Sequence, residues 1–317
     1  MHVQRASSMH ITNGDSVVYT FRKAGIVGTH VPWRDVLHEG PVPPLTSLEA
    51  LTTLRGAYLA ERGYGKPIKI LHDLQARDAT TLRAAEFEEI TLWFEHDLFD
   101  QLQVAQVLVT LDSLSLEPGQ VTMIASDVYL GTMTADEIVA LHPKRRVVTS
   151  GIYEAARRVW HAFTAQEPPV LVELAQSEIP GLPHMRAALL RLCQEFPWTA
   201  DRLSRSQRHA LEAIAQGPAR EPELFRRAQA REEAAFLGDA SFSAIVRDLA
   251  SGPQPLIELQ ADELYVPTAR GRTILAGDGV WEGAPARWIG GTDLSESPYL
   301  WDDESRRFKS DDPAVRS

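Results

Sequence analysis

Residues 93–102, with the sequence Trp-Phe-Glu-His-Asp-Leu-Phe-Asp-Gln-Leu, concentrate the side chains best suited to chemistry. Asp97 and Asp100 are three positions apart, which places both carboxylates on one face of a helix. Glu95, His96 and Gln101 belong to the same turn. A carboxylate beside a histidine fixes the imidazole tautomer and raises its basicity, as general acid–base catalysis requires. We therefore predict that Asp97 or Asp100 orients a catalytic His96, with Glu95 and Gln101 contacting the ligand.

Two other interpretations of this segment stay open. In the first, Asp97 only caps a helix and Asp100 only stabilises the helix dipole. In the second, the carboxylates hold a hard divalent cation such as magnesium. No His-Glu-x-x-His motif occurs, which argues against a zinc protease. The sequence therefore leaves the cofactor open.

A second polar segment runs from 33 to 41 and ends at a Gly-Pro pair. There we expect Arg34 to bind an anion, His38 to act as a second acid–base group, and Trp33 to stack on the ligand. Asp35 and Gly40 complete this predicted ligand-binding loop. The alternative is a solvated loop that Trp33 anchors.

A third candidate, Gly14-Asp15-Ser16, follows the first predicted strand. Free N–H groups at a helix start there would hold an anion; alternatively, Gly14 permits the turn while Asp15 or Ser16 caps the helix. The motif also resembles that of lipases and esterases with a nucleophilic serine. Their late Asp-x-x-His-Pro motif has Val139 in place of the aspartate here, so the triad is incomplete. Neither a dinucleotide fingerprint nor a phosphate loop is present.

All three segments follow strands of one predicted sheet. Strand patterns alternate with helical patterns, which predicts a Rossmann-like parallel sheet domain over 9–150. The strand patterns lie at 10–12, 28–32, 90–94, 121–125 and 147–148, and the helical patterns at 16–24 and 98–111. Because open parallel sheets bind ligands at the carboxyl ends of their strands, we expect the three segments to meet at that edge.

The remaining chain is predicted to be mostly helical. Helices at 47–62 and 67–85 form an insertion, and residues 151–200 form a helical connector packed on the sheet domain. Three helices followed by a hairpin give 201–303 the order of a small winged-helix-like α+β domain, with a tryptophan-rich extension. We expect 304–317 to be a disordered tail.

The charges of the winged-helix candidate argue against DNA binding. Residues 201–272 carry ten basic and eleven acidic residues. The third helix, which would enter the groove, offers only Arg247, offset by Asp248. Since phosphate neutralisation dominates DNA affinity, DNA is a disfavoured partner and contact with a partner protein is favoured.

The overall composition excludes several classes of protein. Lys and Arg total 32 against 43 Asp and Glu, a net charge of −11, which excludes a broadly basic nucleic-acid binder. The single cysteine, Cys193, excludes a disulfide framework and is predicted to pack in the core. No apolar run reaches the roughly 18 residues of a membrane span, and residues 1–8 lack a signal-peptide core. We predict a cytoplasmic protein without membrane contact, with Met1 or Met9 as its start.

Several longer motifs resemble an uncharacterised bacterial family whose members carry an N-terminal domain of unknown function, numbered eighteen thirty-five. The matching stretches are HITNGDS at 10–16, PWRDVLHEGP at 32–41, WFEHDLFDQL at 93–102, FLGDASF at 236–242 and RWIGG at 287–291. The resemblance covers nearly the whole chain. It implies the domain plan given above and names no reaction, cofactor or catalytic residue.

From the residues we therefore expect an enzyme that applies acid–base chemistry to a small phosphate- or nucleotide-containing ligand. Hydrolysis or group transfer is the preferred reaction class. The alternative is a ligand-sensing regulator without turnover, whose winged helix contacts DNA or a partner protein.

Overall fold

The computed structural model describes residues 6–45, 47–282 and 286–311 as a mixed α/β protein. The strands are β1 (Ala6–Thr12), β2 (Thr29–Pro32), β3 (Gly40–Pro41), β4 (Phe87–Phe94), β5 (Val121–Ala125), β6 (Arg146–Val147), β7 (Ile257–Leu259), β8 (Tyr265–Pro267), β9 (Trp288–Gly290), β10 (Thr292–Asp293), β11 (Tyr299–Asp302) and β12 (Arg307–Ser310). The helices are α1 (Val18–Lys23), α2 (Leu48–Glu61), α3 (Pro67–Thr81), α4 (Leu98–Asp112), α5 (Ala135–Leu141), α6 (Ser150–Thr164), α7 (Pro169–Ala175), α8 (Met185–Cys193), α9 (Arg205–Ala215), α10 (Glu221–Gln229), α11 (Asp239–Leu249) and α12 (Ala269–Leu275). Among these residues, no helix combines the length and apolar composition needed to cross a membrane.

The main sheet has five strands in the order β2-β1-β4-β5-β6. Strand β1 pairs in parallel with β2 and β4, and β4 pairs in parallel with β5. The predicted parallel arrangement is thus confirmed for the first four strands, whereas the short edge strand β6 runs antiparallel to β5. The strand order reverses between β1 and β4. Their carboxyl ends therefore form the topological switch point where open sheets bind ligands.

Strand β4 lies in the middle of the sheet, and its apolar side chains are buried on both faces. Leu92 and Phe94 pack into the larger core, while Trp93 faces a smaller cluster with Phe21 and Ile138. Successive side chains of a strand point to opposite faces, so only a continuous apolar run satisfies a strand covered on both sides. This burial fixes where β4 ends and where the polar residues after it begin.

Two helices differ from their predicted bounds. Helix α1 begins at Val18, two residues after the predicted start, and Val17 at its N-cap provides no side-chain cap. Helix α3 ends at Thr81, four residues before its predicted end. Helix α7 is a short separate helix within the predicted helical connector. Pro169 occupies the first helical position, where its missing N–H is not needed and its fixed φ favours the helix. Cys193 on α8 is fully buried, as predicted.

The C-terminal half has its own hydrophobic core. Helices α9, α10 and α11 pack around Leu211, Phe242 and Trp281, together with the antiparallel pair β7–β8. Ser204 and Gln207 form a capping box that fixes the start of α9. The predicted order of three helices and a hairpin is therefore confirmed.

The chain then returns to the N-terminal half. Strand β9 pairs in parallel with β3, and Ile289 and Trp301 belong to the larger core rather than to the C-terminal one. Gly290 has φ +57°, and a Cβ there would lie 2.1 Å from the carbonyl oxygen of Phe163. The tryptophan-rich extension thus packs on the sheet half of the molecule.

The prediction of a disordered tail is wrong for residues 304–311. Strand β12 pairs antiparallel with β11 and closes a hairpin. Phe308 explains the order, because its ring packs 4.9 Å from that of Phe196 and 5.4 Å from that of Trp301. Residues 312–317 lie outside the described part of the chain.

Candidate functional site

Glu95, Asp97 and Asp100 come together where β4 ends and α4 begins. Each offers a carboxylate oxygen, and these oxygens all lie within 4.8 Å of one another. The three residues are only 5%, 3% and 0% exposed. The connection from β4 to α4 is three residues long, so the strand end and the first helical turn converge on one point. That point is the switch point of the sheet, beside the end of β1.

Neutral donors hold these carboxylates in place. Asp97 is the N-cap of α4 and accepts from the backbone N–H of Asp100 at 3.1 Å, so the predicted capping role is confirmed. Asp100 accepts from the backbone N–H of Glu95 at 2.7 Å and from the side-chain amide of Asn13 at 2.8 Å. Glu95 accepts from the N–H of Leu130 at 2.7 Å. Within residues 6–45, 47–282 and 286–311, no lysine or arginine forms an ion pair with any of the three.

The burial of these carboxylates changes their protonation. Burial, reinforced by the charge of Asp97, raises the pKa of Glu95 to about 7. Burial likewise raises the pKa of Asp97 to about 6, and that of Asp100 well above its usual range. Near neutral pH, part of the cluster therefore stays protonated, and this lowers its net negative charge. The oxygen set also suits a hard divalent cation, which would take the place of those protons.

His96 faces a cavity rather than the carboxylates. Its Nδ1 is buried without a hydrogen-bond partner among the described residues, and its ring lies 4.9 Å from Tyr129 and 6.1 Å from His184. Asp97 and Asp100 accept from neutral amides, and among the described residues neither accepts a hydrogen bond from His96, so their role in orienting it stays a prediction. His96 and Leu98 line a cavity of about 300 Å³. The cavity wall thus includes the two residues that flank Asp97, while the three carboxylates themselves are buried behind it.

Gln101 stabilises the backbone of the site. Its side-chain amide is buried and donates to the carbonyl oxygen of Glu95 at 2.6 Å. This bond fixes the end of β4. The predicted ligand contact is replaced by a contact within the protein.

Trp33 and Asp35 belong to the core, so their predicted ligand roles are wrong. The Trp33 indole is fully buried, donates to Gln106 at 2.6 Å and lies under the guanidinium of Arg77 at 4.2 Å. Asp35 forms a buried ion pair with Arg55 at 2.9 Å. An indole is stabilised when it is buried with its N–H bonded, and a buried ionised carboxylate is stabilised by a paired cation.

Arg34 is paired within the protein instead of being free to bind an anion. Its guanidinium donates two hydrogen bonds of 2.7 Å to Asp15. Neither Asp15 nor Ser16 caps helix α1, because Val17 is its N-cap. The structure places Gly14 in the turn after β1, where a Cβ would meet no atom within 4 Å. The turn at 14–16 therefore lies near the switch point, and its anion-binding role stays a prediction.

The structure separates His38 from His96. His38 lines a different cavity of about 360 Å³, and its ring packs 5.0 Å from that of Phe236. Burial lowers the pKa of His38, which keeps it neutral. Gly40 has φ +78°, and a Cβ there would meet the Tyr58 ring at 2.4 Å. His38 and His96 therefore do not form one acid–base pair.

Some residues of the site were missed by the sequence analysis. Asn13 donates directly to the cluster, and it precedes the Gly14 turn that had already been singled out. Tyr129 and Leu130 reach the site from the loop after β5, where no local pattern distinguishes them. The position of Asn13 after a neighbouring strand was the one available signal.

No family model and no curated protein matches the chain. The resemblance drawn from the sequence motifs therefore stays a prediction.

Proposed function

We propose that this chain is an enzyme that uses Glu95, Asp97 and Asp100 for acid–base chemistry on a small polar ligand. The ligand would bind at the carboxyl edge of the sheet, in the cavity beside His96. Hydrolysis or group transfer remains the preferred reaction class, and a phosphate-containing ligand remains the preferred substrate. The proposal includes a Rossmann-like sheet, which the strand order and the parallel pairing support.

One observation carries this proposal: three mutually close, buried carboxylates without a lysine or arginine partner in the described ranges. A purely structural carboxylate is normally paired when it is buried, because an unpaired buried charge is costly. Clusters that raise their own pKa values are typical of sites that move protons. The switch point of the sheet adds independent support, since it is where ligands bind in such folds.

The environments of the three carboxyl groups suggest distinct roles. Glu95, with a pKa of about 7, is half protonated near neutral pH and is the best general acid or base. The negative charge of the nearby Asp97 raises the pKa of Glu95 further, so Asp97 adjusts the protonation of Glu95. Asp100 is the most buried of the three, and burial raises its pKa well above the usual range; its two oxygens hold the end of β4 and Asn13 in place by accepting hydrogen bonds. His96 lines the cavity, and its buried Nδ1 has no hydrogen-bond partner among the described residues.

The test is turnover in a mixture of small polar metabolites, followed by mass spectrometry. We expect wild type to consume at least one compound, with a rate that changes around pH 7. Glu95→Gln should abolish this turnover because the amide cannot exchange a proton. Glu86→Gln makes the same chemical change at an exposed position before β4 and should leave the rate unchanged. Equal turnover by wild type and Glu95→Gln would refute the proposal.

The contacts of helix α11 argue against the alternative function, a regulator with a winged helix. Helix α11 would be the recognition helix, yet it packs on the N-terminal half. Ser241 on α11 hydrogen-bonds Tyr64 at 2.6 Å and Glu39 at 3.1 Å, and Asp248 pairs with Arg62 at 3.5 Å. These contacts favour a role in holding the two halves together over a role in reading DNA. Salt-dependent DNA binding that Arg247→Ala weakens would reverse this preference.

A further inference from the structure

The cavity beside His96 is built from distant parts of the chain. It measures about 300 Å³, near the lower end of the roughly 300–1,000 Å³ typical of small-molecule sites. Helix α8, the start of α9 and the loop at 232–234 line it. The β11–β12 hairpin adds Trp301, Asp303 and Arg306. The ligand contacts would therefore come from both halves of the chain.

Two arginines of this cavity are not neutralised by carboxylates. Arg205 donates to the neutral amide oxygen of Gln194 at 2.7 Å. Within the described residues, neither Arg205 nor Arg306 forms an ion pair. Arg191, by contrast, is already paired with Glu232 at 2.7 Å. Arg205 and Arg306 are therefore available to an anionic group.

Two carboxylates of the same cavity also lack a cationic partner. Asp303 accepts from the Trp301 indole at 2.9 Å and from the Gln194 amide at 3.0 Å, and both donors are neutral. Glu233 forms no ion pair in the part of the chain that the structure describes. Because Gln194 bonds both Arg205 and Asp303, these two opposite charges are held one amide group apart.

Hydrogen bonds within the protein hold the hairpin loop. Asp302 accepts from the backbone N–H of Ser305 at 2.9 Å and pairs with Lys309 at 2.6 Å. The next residue, Asp303, is held by Trp301 and Gln194. A preorganised loop loses little conformational entropy when it binds a ligand.

We infer that this cavity binds a small zwitterion. Its phosphate or carboxylate group contacts Arg205 and Arg306, and its ammonium group contacts Asp303 and Glu233. The amide that separates the protein charges selects a ligand whose own charges are several bonds apart. The inference rests on the proposed function, because it takes the cavity at His96 as the place where the ligand reaches the carboxylate cluster.

Isothermal titration calorimetry on the full chain tests this inference with two zwitterions, phosphoethanolamine and glycylglycine. Each is compared with analogues that lack one charge. These are ethyl phosphate and ethanolamine for the first, and N-acetylglycylglycine and glycylglycine amide for the second. At least one zwitterion should bind tenfold or more tightly than both of its analogues. Failure of both zwitterions to bind, or equal binding of a singly charged analogue, would overturn the inference.

Two variants locate the binding. Arg205→Gln and Asp303→Asn should each weaken it at least about tenfold, because each removes one charge-assisted contact. Asp303→Asn keeps an oxygen that accepts from Trp301, so the loop is preserved. Arg83→Gln removes an exposed arginine that pairs with Glu86 before β4, and it should bind as wild type does. Wild-type affinity in Arg205→Gln would contradict the assignment.

The Glu95→Gln variant separates this inference from the proposed function. It should bind the zwitterion with wild-type affinity while lacking turnover. If it turned over substrate while binding still depended on Arg205, the proposed acid–base role would fail and the cavity assignment would stand. If turnover depended on Glu95 while Arg205→Gln left zwitterion binding unchanged, the reverse would hold.

Discussion

Replacing Glu95 with glutamine should make the folded protein more stable at alkaline pH. Burial raises the pKa of Glu95 from 4.5 to about 7. Between these values the unfolded chain has lost the proton while the folded chain keeps it, so stability falls as the pH rises. Above pH 7 the full cost of the buried charge is present. At about 1.4 kcal/mol per pKa unit, this cost is roughly 3 kcal/mol.

Glutamine removes that charge and keeps the oxygen that accepts from the N–H of Leu130. We expect Glu95→Gln to raise the Tm at pH 8 by about 4–5 °C, at roughly 1.5 °C per kcal/mol for a chain of 317 residues. At pH 5 the two proteins should differ much less, because the wild-type carboxyl is protonated there. Thermal unfolding followed by circular dichroism at both pH values gives the comparison.

The control is Glu86→Gln, which alters an exposed carboxylate paired with Arg83. Its effect should stay within about 0.5 kcal/mol at both pH values. The reasoning fails if the difference between Glu95→Gln and wild type is the same at pH 5 and pH 8. It also fails if Glu95→Gln is the less stable protein at pH 8.

Three further substitutions test the fold around the site. In urea denaturation, Gly40→Ala should lower the free energy of unfolding by over 1 kcal/mol more than Gly63→Ala does. Both glycines have positive φ (+78° and +88°), but only at Gly40 would the Cβ meet a ring at 2.4 Å. Equal losses of stability would contradict the contact. Arg55→Met should cost about 3–5 kcal/mol because it leaves the buried Asp35 unpaired, and adding Asp35→Leu should restore most of the loss; a loss below 1 kcal/mol would show that the pair is not buried. Burial lowers the pKa of His10 to about 4, so its contribution to stability is lost as the pH falls from 6.5 towards 4, and His10→Gln should flatten the fall of Tm in that window; an unchanged pH profile would exclude His10 as its cause.

The sequence was most informative where function depends on strand ends. Parallel strands bring the residues after them to one edge, so strand periodicity predicted that the segment with Glu95, Asp97 and Asp100 lies at the carboxyl edge of the sheet. Helical spacing placed Asp97 and Asp100 together, and the N-cap preference of aspartate explained their local geometry. These features depend on residues only a few positions apart.

The remaining features of the site depend on contacts between residues that are far apart in the sequence. Nothing in the segment around Arg34 indicated that its charge would be taken by Asp15, nor that Trp33 would lie beneath Arg77. Part of the cavity wall comes from the β11–β12 hairpin, about 200 residues further along the chain, and its Arg306 lies in the segment predicted to be a disordered tail. Partners this distant in sequence leave no local pattern, so the charge balance of the cavity required the structure.

A direct titration of the carboxyl groups tests the central claim. In protein labelled with ¹³C at the Asp and Glu carboxyl carbons, we expect one glutamate to titrate near pH 7 and one aspartate near pH 6. Glu95→Gln should remove the glutamate transition and lower the aspartate midpoint. If every carboxyl group of the folded wild-type protein titrates below pH 5, the cluster holds no proton near neutral pH and the proposed acid–base role is wrong.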